Sequence, residues 1–190
     1  MTFSKADIEI TIASEGSLDS LNLSEMDLSG MKFNSISFKN ADLRYVNFSN
    51  SDLSGCDFSN ANLGGANLTG SDISSACFKN ADLRWSILKS VNAQNCDFSG
   101  AGMLESDFSE GDFEKSNFEE TDLRRCVLKN AIFAHSDFQK SNIAMANFTG
   151  SNLAAFKAGN IETIIVINIE DNEIIKIEDG LISDGIVLKK

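Results

Sequence analysis

The chain has 190 residues, 42% of them apolar and 23% charged, which fits one domain, or one domain with a short appendage, and excludes a wholly disordered chain. Its 28 acidic and 16 basic side chains leave a net charge of −12, which argues against nonspecific binding to nucleic acid or to anionic membranes. There is no Pro, and a single His narrows the acid–base and metal chemistry available before any motif is considered.

Residues 1–20 read as an N-terminal cap. They show no basic stretch followed by an apolar run, so no secretory signal is expected. Ile8, Ile10 and Ile12 alternate as in a strand, and Ala6-Asp7-Ile8 loosely anticipates the register that follows. Nowhere does the chain approach the roughly 18 consecutive apolar residues of a membrane span. Cys56, Cys77, Cys96 and Cys126 have no CxxC spacing, so the expectation is a cytoplasmic protein with reduced thiols.

From residue 21 to 155 the sequence repeats every five residues. The 27 positions from Leu23 to Leu153 hold 12 Phe, 11 Leu, two Ile, Met103 and Ala93. Two residues earlier, 21 of 27 are Ala, Ser, Cys, Gly or Thr, and one residue earlier 20 of 27 are Asp or Asn. Ala41-Asp42-Leu43-Arg44-Tyr45 and Ala61-Asn62-Leu63-Gly64-Gly65 show the motif. A period of five fits neither a helix nor a strand. The small and the large apolar residues are two apart and point the same way, with the Asp/Asn between them pointing out. The other two residues turn the chain.

This motif, A(D/N)LXX, resembles that of the pentapeptide-repeat proteins over about 70% of the chain. The resemblance implies an all-β fold, a right-handed quadrilateral β-helix with four pentads per coil. At 20 residues per coil and roughly 4.8 Å per coil, the repeat would form a rod of about 32 Å. Val91 and Ala93 look like a volume exchange between the small and large interior sites.

A second period of 40 lies over the first. Phe38-Lys39-Asn40-Ala41-Asp42-Leu43-Arg44-Tyr45 recurs as Phe78-Lys79-Asn80-Ala81-Asp82-Leu83-Arg84-Trp85, and Thr121-Asp122-Leu123-Arg124-Arg125 echoes it. Forty residues are two coils, so Arg44, Tyr45, Arg84, Trp85, Arg124 and Arg125 should line one face. Ile87 and Val127 replace the outward Asp/Asn on the next face, with Leu104 between them in the stack. Exposed Trp, Tyr and Arg are the types enriched in binding hot spots, and they can also simply cover neighbouring coils. Glu105, Glu110, Glu114, Glu119 and Glu120 encircle nearly one coil, either as an acidic recognition band or as a solvated surface.

Residues 156–190 change character. Residues 161–169 are rich in Ile and Val, Asp171-Asn172 can turn, and residues 174–177 can return as a second strand. Asp179-Gly180 and Asp184-Gly185 are further turn signals. The segment reads as a β-rich cap, as a dimerising element, or as both, because an unpaired Ile164-Ile165-Val166-Ile167 edge would invite aggregation.

No catalytic, cofactor or metal site assembles from these residues. Serines recur at structural positions, His135 falls on an outward turn, and Cys56 and Cys96 lie two coils apart, too far for a disulfide. The first expectation is a non-enzymatic interaction scaffold with a protein partner and no direct nucleic-acid or membrane binding. The alternative comes from the resemblance. Qnr- and MfpA-like members mimic B-DNA, bind DNA gyrase or topoisomerase IV and protect against quinolones. Two features depart from them: the loops that interrupt Qnr coils are absent, and Ile-rich strand-like sequence stands in place of a C-terminal dimerising helix.

Overall fold

The computed structural model describes residues 3–155, 157, 164–168 and 173–177. Its elements in chain order are α1 (Lys5–Glu15), a long stack of coils, and the strands β1 (Ile164–Asn168) and β2 (Glu173–Ile177).

Helix α1 replaces the strand expected from Ile8, Ile10 and Ile12. Its start is set by a capping box: the Ser4 side chain accepts from the Asp7 amide, and the Asp7 carboxylate accepts from the Ser4 amide. Gly16 ends it in the left-handed conformation. Ile8 and Ile12 are four apart and share a helical face. Ile8 is buried in the common core and Ile12 is partly buried against it, whereas Ile10 is exposed. The all-β class therefore needs correction at this end.

Every fifth residue from Ser17 makes a parallel bridge to the residue 20 positions on, through Ser17↔Ser37, Asn22↔Asp42 and onward to Asp137↔Lys157. One coil is thus 20 residues with four sides. Each side contributes a single bridge rather than an extended strand, and coil geometry begins at Ser17, ahead of residue 21.

The backbone repeats its bonding in each pentad. Asp42 donates to the Leu21 carbonyl, Leu43 to Asn62 and Tyr45 to Gly64, while Val46 closes a β-turn on Leu43. The third residue of that turn has positive φ at all 28 such positions from Ser20 to Ala155, the pattern of a type II turn. One amide per pentad, that of the turn's second residue, has no backbone acceptor in this scheme. Its acceptor is the outward Asp or Asn two residues earlier. All 20 such residues between Asn22 and Asn152 accept this bond, as Asn62 Oδ1 does from the Gly64 amide at 3.1 Å. The repeat's Asp/Asn is therefore an Asx-turn device that removes an orphan donor.

Inside, the large residues form four ladders. Phe38, Phe58, Phe78, Phe98, Phe118 and Phe138 make one continuous stack, with centroids 4.5–5.0 Å apart and planes within 16°. That spacing is the inter-strand spacing of a sheet, so the ring stack and the hydrogen-bond ladder have one rise. Small-site hydroxyls donate to interior carbonyls, as Ser106 does to Leu83 at 2.6 Å and Ser136 to Phe113 at 2.7 Å. Cys56, Cys96 and Cys126 make the same contact through Sγ. Burial pushes the thiols of Cys56 and Cys126 up to about 12, and that of Cys96 upward as well.

The Val91/Ala93 exchange has a third member. A Cβ on Gly111 would lie 2.4 Å from a Phe113 ring carbon and 3.3 Å from a Val91 methyl. Gly111 thus makes room for a ring beside an enlarged small site. Beyond the coils, β1 and β2 pair antiparallel, with Val166 opposite Ile175. The expected turn at Asp171-Asn172 and the Asp-Gly pairs at 179–180 and 184–185 lie outside the described residues.

Gly111→Ala should cost about 1–3 kcal/mol through overpacking. Thermal melts should show a lower midpoint for this variant, and for Gly111→Ala with Phe113→Leu a midpoint closer to wild type.

Candidate functional site

The coil positions define columns of side chains. One column of turn residues runs Glu25, Tyr45, Gly65, Trp85, Glu105, Arg125, Met145, with the adjoining column Arg44, Gly64, Arg84, Leu104, Arg124. The structure thus brings together the predicted Arg44, Tyr45, Arg84, Trp85, Arg124 and Arg125 along one corner. Leu104 stands in the arginine column between Arg84 and Arg124. It does not separate Ile87 from Val127, because Asp107 lies between those two in the next column. Ile87 and Val127 are exposed, one bridge position beyond Trp85 and Arg125.

The corner is held in place by its own contacts. Arg44, Arg84 and Arg124 each form a two-pronged pair with the Asp two residues earlier, Nε to one oxygen and a terminal nitrogen to the other, all at 2.6–2.8 Å. These bonds, with the amide bonds of the Asx turns, hold the Asp42, Asp82 and Asp122 carboxyls below their ordinary range. The Arg84 guanidinium lies 5.3 Å from the Trp85 ring centroid, and the indole N–H donates to Glu105 at 3.2 Å. Glu105 also pairs with Arg125 at 3.0 Å. Tyr45 lies across Gly65, where a Cβ would stand 2.5 Å from two ring carbons. Tyr45, Trp85 and Met145 nevertheless remain 64%, 52% and 59% exposed. Met145 is a member of the column that the 40-residue pattern does not reveal, although its place 20 residues after Arg125 marks it.

The glutamates of the acidic band are each ion-paired: Glu105 with Arg125, Glu110 with Lys89, Glu114 with Lys115, and Glu119 and Glu120 with Lys140. The band is thus largely but not fully neutralised, because Glu119 and Glu120 share Lys140. A shallow groove of about 270 Å³ opens beside it, lined by Lys79, Asn80, Asp97, Gly100, Glu119 and Glu120 among others. His135 is exposed at its turn. Among the described residues no three His, Cys, Asp or Glu side chains gather as a metal site, and no helix is long and apolar enough to cross a membrane.

The profile of the family described as pentapeptide repeats matches residues 22–60, 51–89, 88–119 and 116–153, with eight copies. Among solved structures, a trypsin-treated variant of QnrB1, described as a plasmid-mediated fluoroquinolone resistance protein, is 22% identical with a TM-score of 0.56. The match covers 74% of this chain and 73% of that one, and shows a shared fold. HetL, a pentapeptide repeat protein involved in heterocyst differentiation regulation in the cyanobacterium Nostoc sp. strain PCC 7120, is 18% identical. That match covers 92% of this chain and 99% of that one, with a TM-score of 0.43. A pentapeptide repeat protein from the Arabidopsis thaliana thylakoid lumen is 30% identical over 56% of this chain and 71% of its own, with a TM-score of 0.33. No curated protein matches the chain in sequence.

The depressed carboxyls set the sign of the acid response. Asp42, Asp82 and Asp122 titrate lower folded than unfolded. Their contribution is complete above the unfolded value of about 4 and is lost as pH falls through the folded values. Melting temperature should therefore fall below about pH 4, and Asp42→Asn, Asp82→Asn and Asp122→Asn together should flatten part of that fall while keeping the turn amides capped.

Proposed function

Because the chain belongs to the pentapeptide-repeat family, we propose that it acts without catalysis, as a rigid rod presenting one corner to a protein partner. The coil is taken as right-handed, as in that family. The observation that carries the reading is the composition of the corner at positions of positive φ. Gly and Asn occupy such positions at least cost, and other L-residues there cost about 1 kcal/mol or more each. Of the seven turn positions on each corner, Gly or Asn fills five on the column from Gly30 to Gly150 and four on that from Ser20 to Lys140. The column from Ser35 to Ala155 has two, with three more small residues. The column from Glu25 to Met145 has one, Gly65, and its other six side chains are all large. The fold favours Asn or Gly there, so the Tyr, Trp, Arg and Met are retained for what they touch outside. Exposed Tyr, Trp and Arg suit a protein contact.

Residues 1–20 fit a cap, supported by Ile8 in the buried core. The segment 156–190 fits a second cap or a dimerising element, and the cytoplasm is the expected compartment.

One observation favours a second reading, the fold shared with QnrB1, described as a fluoroquinolone resistance protein. On that reading the rod competes with DNA for a type II topoisomerase such as DNA gyrase. The repeat body speaks less strongly for it: residues 21–155 carry 17 acids against 11 bases, and the acidic band is paired.

Tagged wild type and Trp85→Ala should be compared for the proteins they capture, alongside Lys79→Ala on another corner. The corner reading expects Trp85→Ala and Arg84→Ala to weaken the captured partner about tenfold or more, with little salt dependence, and Lys79→Ala to leave it unchanged. The topoisomerase reading expects inhibition of gyrase supercoiling, or rescue from a fluoroquinolone, with binding that weakens steeply in salt.

A further inference from the structure

We propose that the corner binds a proline-rich segment of its partner in the polyproline II conformation, with successive turns of that segment seated on Tyr45 and Trp85. This rests on the reading of the corner as a contact surface and adds the chemistry of what it contacts.

The first argument is spacing. Tyr45 and Trp85 occupy the same column two coils apart. The phenylalanine stack fixes the rise at 4.5–5.0 Å per coil, so the two aromatic positions are separated by about 9.6 Å along the rod. A polyproline II helix returns to the same face every three residues, or about 9.3 Å. An extended strand repeats at ~6.8 or ~13.6 Å and an α-helix at ~5.4 or ~10.8 Å, so both match the spacing of the two positions less closely.

The second argument is form. The coil between the two aromatic positions carries Gly64-Gly65, which adds no side chain of its own, and the Tyr45 ring lies over it, so no third side chain stands on the column between Tyr45 and Trp85. Both rings are set beforehand, Tyr45 by lying on Gly65 and Trp85 by Arg84 and Glu105. A polyproline II ligand is likewise extended before it binds, so little conformational freedom is lost on either side.

The third argument is charge. Arg44, Arg84 and Arg124 are each neutralised by an Asp, and Arg125 by Glu105. Glu25, one coil before Tyr45, is exposed and has no ion pair among the described residues. The corner is thus left with one uncompensated negative charge at one end, which complements a basic residue flanking the prolines. These 190 residues contain no Pro, so they do not themselves supply the segment.

The test uses a fluorescein-labelled synthetic peptide with two Pro-x-x-Pro turns and a flanking Arg, with a Pro→Ala counterpart, read by fluorescence anisotropy. Saturable binding of the first peptide and not the second is expected. Tyr45→Ala and Trp85→Ala should each weaken it at least about tenfold, Glu25→Gln should weaken it less and reduce its salt dependence, and Lys79→Ala should change nothing. Melting curves would confirm that each variant is folded. Equal binding of both peptides, no binding, or binding indifferent to Tyr45→Ala overturns the proposal, as does binding of a β-1,4-linked oligosaccharide in its place. If the peptide fails while Trp85→Ala still loses the captured partner, the proline inference falls and the corner reading stands. If the captured partner is indifferent to Trp85→Ala, the corner reading itself falls.

Discussion

The structure depends on a turn that must be made every five residues with a positive φ at its third position. That single constraint makes the coil square, sends two side chains of each pentad inward and one outward, and places the same backbone groups above one another in each successive coil. The parallel bridges from each residue to the one 20 positions on follow from it, as does the common rise of the hydrogen-bond ladder and the phenylalanine stack. The turn also leaves one amide per pentad without a backbone acceptor. The outward Asp or Asn supplies one from its own side chain. The most regular polar feature of the sequence is therefore a local hydrogen-bonding device, and many of these carboxylates are engaged before any ligand arrives.

The coil was legible in the sequence because a five-residue period has few physical solutions. Leu/Phe, small and Asp/Asn fall at fixed offsets, and those offsets map directly onto interior and exterior. The Arg and aromatic corner was legible for a related reason: positions 40 apart share a column in a 20-residue coil, as Tyr45 and Trp85 do. The N-terminal helix was not, because three Ile at alternate positions look like a strand. The evidence against a strand lay in Ser4 and Asp7 at capping-box spacing and in Gly16 as a stop. The pairing of the glutamate band needed the same 20-residue arithmetic applied to charges, since Glu105–Arg125 and Glu120–Lys140 are one coil apart. Side-chain direction decided the rest. That Tyr45 lies down on Gly65, or that Phe113 leans over Gly111, depends on rotamers that a periodic pattern does not specify.

Fold and surface are separable in this molecule to an unusual degree. The interior needs only volume and small-site hydroxyls or thiols, and each coil touches only its neighbours. The turn positions need only a residue that tolerates positive φ. Two corners follow that preference at most positions with Gly or Asn, a third has two of these and three other small residues, and the fourth has one Gly and six large side chains. Surface ion pairs and an exposed cation–π contact return little stability, so they do not account for six large side chains in strained positions on one column.

The most direct measurement is the thermal stability of a variant in which Tyr45, Trp85, Glu105, Arg125 and Met145 are all replaced by Asn. If these residues are kept for a partner rather than for the coil, the variant will melt at the same temperature as wild type or higher, with an unchanged circular dichroism spectrum. A clear drop in melting temperature would show that the corner holds the coil together and would contradict the account.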